Sequence, residues 1–264
     1  MTEFLYFIIF VFGLIIGSFL NCLIYRLEVN ELRSFLRFAS PYSARVVDES
    51  PLREKSYCPK CKHNLKWQDL IPVLSFFILK GKCRYCFQRI SWQYPLVELF
   101  TGIIFLLIFY FQLPLFYFLI SSFLIVIFVY DLRHYLILDQ VIYPAIIIAG
   151  IFNFELFSIL SAFGAATFFL FLVLITKGKG MGIGDIKLAF LMGLILGWPK
   201  ILIALFLAFF FGAIIGSGLI FFQRKTLKSE IPFAPFLVTA TFVALFWGEK
   251  IINWSWHLSP FLLK

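Results

Sequence analysis

The chain has 264 residues, of which 62% are hydrophobic and only 14% are charged, and 37 residues are phenylalanine. A soluble fold of this length cannot bury so much apolar surface. The composition therefore predicts a polytopic membrane protein, built as a bundle of helices in lipid. The net charge of +9 is explained by membrane topology, and nothing beyond charge favours nucleic-acid binding, so we expect no nucleic-acid partner.

Apolar runs along the chain predict an all-α fold with about eight transmembrane helices. The first run, Phe4 to Tyr25, is long enough to cross a hydrocarbon core of about 30 Å. It follows "MTE" rather than a basic segment, so we interpret it as a retained helix and not as a cleaved signal. A polar block follows, and the other apolar runs lie at 95–111, 113–130, 136–153, 157–175, 186–198, 200–222 and 232–248.

This pattern divides the chain into three expected parts. They are a first transmembrane helix (1–25), a loop domain (26–94) and a seven-helix membrane domain (95–264).

The distribution of Lys and Arg predicts their orientation, because loops rich in these residues stay in the cytoplasm. With the amino terminus outside, the cytoplasmic loops hold 20 of the 23 Lys and Arg residues. An odd number of spans would break this partition.

Four of the five cysteines lie in two short motifs, "CPKC" (Cys58, Cys61) and "CRYC" (Cys83, Cys86). Two CxxC pairs with 21 residues between them have the spacing of a structural zinc site with four thiolate ligands. A redox pair, disulfides or unliganded thiols are alternatives, but a cytoplasmic loop keeps its thiols reduced, which disfavours disulfides. We expect one structural zinc ion that folds a loop too small for a core of its own.

Ionisable residues within apolar spans are costly, so those that remain are candidates for function. Asp131 closes the third run, Asp139 lies eight residues later, and Asp185 opens the sixth run in "GMGIGDIKL". The predicted topology places all three near the cytoplasmic face. Two aspartates brought together share one proton, so that one takes a proton from water while the other polarises a carbonyl group.

The residues around Asp185 fit this chemistry but have simpler explanations. Gly182 and Gly184 lack side chains and permit unusual backbone angles, which would let a substrate backbone approach the acid. Lys187 marks the membrane interface. Alternatively, the aspartates are interfacial residues or helix caps and the glycines are packing residues. An ion-coupled transporter with intramembrane acids is a further alternative, as is a noncatalytic scaffold.

Seven segments, taken together, resemble the type IV prepilin peptidases, which are membrane aspartic proteases of the GxGD type. The segments are "GSFLNCLIYRL" (Gly17 to Leu27), the two cysteine motifs, "RISWQYPLVELFTG" (Arg89 to Gly102), "YDLRHYLILD" (Tyr130 to Asp139), "KGMGIGDIKL" (Lys179 to Leu188) and "IPFAPFL" (Ile231 to Leu237). They occur in the family's order and extend from the first helix to the last. GxGD alone is weak, whereas the ordered set is specific.

The resemblance implies a multi-pass enzyme of the bacterial inner membrane, with a periplasmic amino terminus and with the active site and zinc loop facing the cytoplasm. Its substrates would be type IV prepilins or type II secretion pseudopilins, cut after a glycine and then N-methylated with S-adenosylmethionine. The family's catalytic aspartates correspond to Asp131 and Asp185. The family's zinc ligands correspond to the four cysteines, in a loop associated with methylation.

Two positions depart from the family's usual pattern: Ala234 replaces a glycine, and Leu138 replaces a proline before Asp139. No glycine-rich cofactor loop is recognisable, so the residues that bind S-adenosylmethionine remain unassigned. Glu98 and the segment "GSFLN" are candidates for that half of the chemistry, with interfacial packing as the alternative. The sequence does not indicate which pilin is cleaved, or the oligomeric state.

Overall fold

The computed structural model describes residues 2–39, 56–58, 60–178, 181–221 and 231–262. Helices dominate these ranges, and β-structure there is limited to two isolated bridges, Tyr57 with Asn64 and Lys82 with Arg89. The helices are α1 (Thr2–Ala39), α2 (Leu74–Ile78), α3 (Gln93–Tyr110), α4 (Phe116–His134), α5 (Asp139–Phe152), α6 (Leu156–Thr176), α7 (Ile183–Leu196), α8 (Lys200–Phe221) and α9 (Ala234–Leu262), with a 3₁₀ turn over Trp67–Leu70. The predicted all-α fold is confirmed.

The eight longer helices, all but α2, lie at the eight predicted apolar runs. In the described chain, six of them are long and apolar enough to cross a membrane: α1, α3, α4, α6, α8 and α9. Helix α5 is a shorter apolar helix, and α7 has 14 residues. The chain is therefore a multi-pass membrane protein. Helix α1 continues to Ala39, beyond the predicted end at 25, and residues 40–55 and 59 of the predicted loop domain lie outside the described ranges.

The chain divides into two compact units, Met1–Leu113 and Pro114–Lys264. This division groups α3 with α1, whereas the sequence prediction began the membrane domain at residue 95. The physical reason is the close packing of α1 on α3 in the first unit. Gly13 and Gly17 lie on the same face of α1, because residues four apart in a helix point the same way.

Helix α1 approaches the backbone of α3 through these two glycines. A Cβ atom at Gly13 would lie 2.7 Å from Cα of Gly102, and one at Gly17 would lie 2.6 Å from Cα of Glu98. Both distances are shorter than any real Cβ contact, so only glycine fits. Small residues that allow such contact are a common basis of helix association in membranes.

The second unit is centred on α4, whose buried residues include Leu124, Val126 and Ile127. Helices α6 and α7 pack closely, and a Cβ atom at Gly193 would lie 2.3 Å from Cα of Ala162. By contrast, α8 exposes Phe206 and much of its other apolar surface, which is the arrangement expected of a helix that faces lipid. The buried residues of α4 end at Asp131, in the last turn of the helix.

Replacement of Gly17 by alanine tests the close contact between α1 and α3. We expect Gly17→Ala to destabilise the protein by about 1–3 kcal/mol, because the added methyl group forces the helices apart. The matched control is Gly164→Ala in α6, where an added Cβ meets nothing within 4 Å. The measurement is the thermal unfolding midpoint of each variant in detergent. Equal midpoints for the two variants would contradict the contact.

Candidate active site and metal centre

Asp131 lies in the last turn of α4 and is only 5% exposed. A carboxylate is unfavourable there, because the carbonyl groups at a helix C-terminus already carry partial negative charge. Arg133 and His134 in the same turn offset part of that charge. An acid retained at such a position is costly to stability, so a functional role is the better explanation for it.

The start of α9 provides a hydrogen bond to Asp131. The backbone N–H of Ala234 donates to the Asp131 carboxyl group, and Ala234 is the first residue of α9. The unpaired N–H groups at a helix N-terminus carry partial positive charge and favour a nearby anion. The segment "IPFAPFL" therefore positions a donor at the acid, a role that sequence reasoning did not assign to it.

Asp185 lies in the first turn of α7 and is 9% exposed. Its Oδ2 atom accepts a hydrogen bond of 3.1 Å from the backbone N–H of Gly182, the residue that precedes the helix. Here the acid has the favourable end of the helix, as in an ordinary capping interaction. Asp185 is not the N-cap residue, as the sequence alternative had it: Gly182 is, and Asp185 at the third helical position accepts its N–H. This bond leaves the other carboxyl oxygen for other contacts.

The second unit brings the two acids together. Asp131 and Asp185 interact electrostatically, although 54 positions separate them in the chain. Within the described chain, Oδ2 of Asp131 is buried and has no hydrogen-bond partner. A buried carboxyl oxygen without a partner is destabilising unless a proton, a water molecule or a substrate reaches it. The second unit therefore places the two buried acids near enough to interact.

Asp139 lies apart from this pair and forms a different contact. It accepts a 2.5 Å hydrogen bond from Nζ of Lys187, and its side chain is 59% exposed. The Lys187 ammonium also lies 4.8 Å from the centre of the Tyr143 ring. Lys187 thus joins the start of α7 to α5 just beside Asp185. A salt bridge this exposed adds little stability, so its effect is to fix the position of the Lys187 side chain.

The two predicted glycines next to Asp185 differ in their surroundings. A Cβ atom at Gly182 would meet only Oδ2 of Asp185 at 3.8 Å and a backbone nitrogen at 3.9 Å, so this position is open. Its backbone is ordinary extended chain, with φ at −84°, and the expectation of unusual angles is wrong there. At Gly184 a Cβ atom would lie 3.0 Å from Cβ of Ile137. Gly184 therefore packs against the segment between α4 and α5.

The four predicted cysteines form one cluster in the first unit. The Sγ atoms of Cys58, Cys61, Cys83 and Cys86 all lie within 4.8 Å of one another, and none is in a disulfide. A tetrahedral zinc site with Zn–S bonds of about 2.3 Å would hold its sulfurs about 3.8 Å apart. The separation of 4.0 Å between Cys58 and Cys86 fits that geometry, so the cluster could hold a metal ion.

The two cysteine motifs adopt the same local fold. In the first motif, the Cys58 N–H donates to the His63 carbonyl, and the Cys58 carbonyl accepts from the Lys62 N–H. In the second motif, the Cys83 N–H donates to the Gln88 carbonyl, and the Cys83 carbonyl accepts from the Phe87 N–H. Desolvation raises the pKa of the Cys58 thiol, but hydrogen bonds from the backbone at Cys61 and Lys60 outweigh it, and the pKa falls to about 7. A lowered pKa favours the thiolate, which is the form that binds metal.

The segment between the two motifs reaches back to α3. Phe76 in α2 is buried and packs against Trp92 with the rings tilted, their centres 4.9 Å apart. The backbone N–H of Val73 donates a 2.7 Å hydrogen bond to Oε2 of Glu98. Glu98, one of the residues considered for methyl transfer, is therefore bound to the cysteine-rich loop. This link is not visible in the sequence.

Comparison with known proteins identifies two family models along the chain. Residues 11–112 match the bacterial peptidase A24 N-terminal domain, and residues 118–217 match the type IV leader peptidase family. The chain is 35% identical to a prepilin leader peptidase/N-methyltransferase of Aeromonas salmonicida, over 98% of this chain and 96% of the relative. The chain belongs to the type IV leader peptidase family.

Relatives with the same name occur in distant bacteria. The chain is 33% identical to that of Bacillus subtilis, over 93% of this chain and 96% of the relative. It is 32% identical to that of Pseudomonas aeruginosa, over 90% and 89% of the two chains. No solved structure matches the chain. The two family matches meet near the boundary between the two compact units. The matched relatives do not favour the transporter alternative.

Metal analysis of the purified protein tests the cysteine cluster. We expect about one metal ion per chain, because the four sulfurs lie at the separation of a tetrathiolate site. Cys58→Ser should lower the metal content to near zero, since three thiolates hold the ion less tightly. Cys22→Ser in α1, outside the cluster, is the matched control and should retain the metal. A native protein that contains no metal, and in which all four thiols of the cluster react freely, would contradict the assignment.

Proposed function

We propose that this chain cleaves the leader peptide from type IV prepilins or type II secretion pseudopilins and N-methylates the new amino terminus. The observation that carries the proposal is that two buried aspartates, one at the end of α4 and one at the start of α7, lie near enough to interact electrostatically. Membership of the type IV leader peptidase family and full-length similarity to prepilin leader peptidase/N-methyltransferases support the same function.

Cleavage follows from the chemistry of a carboxyl pair. Asp131 and Asp185 share one proton, because two negative charges so close cannot both persist cheaply. The ionised carboxylate takes a proton from a water molecule, which attacks the carbonyl carbon of the scissile peptide bond. The neutral carboxyl group donates its proton to the carbonyl oxygen. The tetrahedral intermediate then collapses, and the leaving amine receives a proton from the pair.

The neighbouring residues have supporting roles in this proposal. The open position at Gly182 lets the substrate backbone approach Asp185, whereas Gly184 keeps α7 close to Ile137. Lys187 is held by Asp139 and Tyr143, so its ammonium group is fixed against α5, two residues along α7 from Asp185. A cation there lies near the membrane surface, where a prepilin passes from its leader to its apolar helix.

We assign the two reactions to the two units. The second unit, with α4 to α9, holds the protease residues, and the first unit, with the cysteine-rich loop, carries the methyl transfer. The metal is a single structural zinc ion bound by the four cysteines, and S-adenosylmethionine is the methyl donor. In the bacterial inner membrane, the amino terminus faces the periplasm, and the loop and both acids face the cytoplasm, as the distribution of Lys and Arg indicates.

Asparagine at either catalytic position tests the acid pair. We expect Asp131→Asn and Asp185→Asn each to lower prepilin cleavage more than about 100-fold, because an amide neither accepts the proton of water nor donates one in its place. Asp139→Asn is the matched control and should stay within about threefold of the native rate. The measurement is the cleavage of a coexpressed prepilin in membranes. Full activity in either of the first two variants would exclude the proposal.

Proline at position 234 tests the hydrogen bond from α9 to Asp131. Proline has no N–H group but is well tolerated at the first position of a helix, so Ala234→Pro removes the donor and keeps the helix start. We expect cleavage to fall about 10- to 100-fold, since a hydrogen bond to a charged group contributes about 1.5–3 kcal/mol. Ala234→Gly retains the donor and should cleave nearly normally. Equal rates for the two variants would show that this donor is unimportant.

A further inference from the structure

The contact between α1 and α3 contains a group of buried polar side chains that proteolysis does not use. Asn21 on α1 is 3% exposed and Glu98 on α3 is 7% exposed. They belong to the same helix contact, because Gly17 meets the Glu98 backbone and Asn21, one turn further along α1, bonds to Tyr94, one turn before Glu98. Polar groups buried between two apolar helices are costly, so they need partners.

The hydrogen bonds of Asn21 leave one atom without a partner. Its Nδ2 donates a 3.0 Å hydrogen bond to the Tyr94 carbonyl oxygen, and this bond fixes the orientation of the amide because a nitrogen must face a carbonyl group. Its Oδ1 is buried and has no hydrogen-bond partner in the described part of the chain. Oδ1 is an acceptor, so the missing partner is a donor.

Glu98 presents a second acceptor at the same helix contact. Its carboxyl group accepts from the Val73 N–H at 2.7 Å, and the Ser18 hydroxyl is a second neutral donor nearby. In the described ranges, no Lys or Arg forms an ion pair with it. Two neutral donors leave a buried carboxylate with unused acceptor capacity and an uncompensated charge. The group as a whole thus lacks a cationic donor.

The turn that covers Glu98 is held in a rare conformation. Val73 has φ at 61° and ψ at −51°, and a positive φ at a β-branched residue is a genuine outlier. Such a residue persists only where its surroundings hold it. Here the Glu98 carboxylate binds its N–H, and α2, which begins at the next residue, packs Phe76 against Trp92. The cysteine-rich loop therefore delivers the Val73 donor to Glu98.

We propose that Asn21 and Glu98 form an amine-binding site, which holds the α-amino group of the cleaved pilin while it is methylated. A protonated amine supplies both the positive charge that Glu98 lacks and the N–H donor that Oδ1 of Asn21 lacks. The proposal rests on the assignment of methyl transfer to the first unit. It gives that unit a substrate site made of its own side chains.

The reaction balances as a proton transfer followed by a methyl transfer. Glu98 takes one proton from the α-ammonium group, which frees the nitrogen lone pair. Oδ1 of Asn21 accepts one of the two remaining N–H groups and orients the lone pair. The nitrogen then forms a bond to the methyl carbon of the co-substrate S-adenosylmethionine as the S–CH₃ bond breaks. The bonding electrons remain on sulfur, and Glu98 later releases its proton to water.

The test uses the full-length protein in membranes, an already-cleaved pilin peptide with a free α-amino group, and labelled S-adenosylmethionine. We expect Glu98→Gln, which can still accept from Val73, to lower methylation about 100-fold or more. Cleavage of intact prepilin should stay within about twofold and report that the fold survives. Glu98→Asp should restore part of the methylation. The acidic limb of the pH profile, set by a carboxylate acting as base, should disappear in the Gln variant.

A binding measurement provides a readout that does not depend on turnover. The native protein should bind the free-amine peptide more tightly than the same peptide with an acetylated amino terminus. Both Glu98→Gln and Asn21→Leu should lose this preference. Thr101→Val is the matched control, because Thr101 is equally buried in the same contact but its hydroxyl donates to the Val97 carbonyl of its own helix. It should retain both the preference and the methylation.

Three results would overturn the proposal. The first is native methylation in Glu98→Gln. The second is a loss of methylation through a higher KM for S-adenosylmethionine with an unchanged KM for the peptide, because the site would then hold the amino group of the co-substrate. The third is loss of both cleavage and methylation in Glu98→Gln and in Asn21→Leu, which would give Asn21 and Glu98 a structural role. None of these results bears on the acid pair, whose own variants test cleavage separately.

Discussion

The cost of placing a carboxyl group among apolar helices governs the functional parts of this protein. Among the described residues three such groups are buried, Asp131, Asp185 and Glu98, and each accepts a hydrogen bond from a backbone N–H. The donors are Ala234 at the start of α9, Gly182 before α7 and Val73 before α2. A backbone donor supplies no full positive charge, so each acid is oriented but not neutralised. Such acids remain available for proton transfer.

The same constraint explains the positions of these acids. Two of the three donors directly precede or begin long helices of the second unit, where unpaired N–H groups are available without disrupting secondary structure. The third comes from a short turn between the two cysteine motifs. A metal ion bound by the four cysteines would hold this turn in place, which gives a physical reason for a link between metal and methyl transfer.

Much of this arrangement was predictable from the sequence, because its signals are local. The apolar runs located all eight longer helices, and the paired CxxC motifs predicted one four-cysteine cluster. The two acids were recognised as costly residues at the edges of spans. Helix boundaries were less accurate: α1 continues well past 25, since the polar residues that follow are still good helix formers.

Contacts between distant segments could not be predicted. The Ala234 donor joins residues 103 positions apart in the chain, and a backbone N–H has no signature in a sequence. The hydrogen bond from the Val73 N–H to Glu98 likewise has no signature in the sequence. Gly13 and Gly17 were visible as small residues four apart, yet only the structure shows that they contact Gly102 and Glu98. Gly184 could not be interpreted from the sequence for the same reason, because a glycine can either make room for a substrate or allow close packing of the chain.

The central claim is that proteolysis and methyl transfer are carried by separate sets of residues, one in each compact unit. The most direct measurement supplies Asp131→Asn protein, in membranes, with an already-cleaved pilin and labelled S-adenosylmethionine. We expect this variant to methylate the pilin at a rate within about twofold of the native protein, because Glu98 and Asn21 are unchanged. A variant that fails to methylate the pre-cleaved substrate would contradict the claim and would show that both reactions depend on the acid pair.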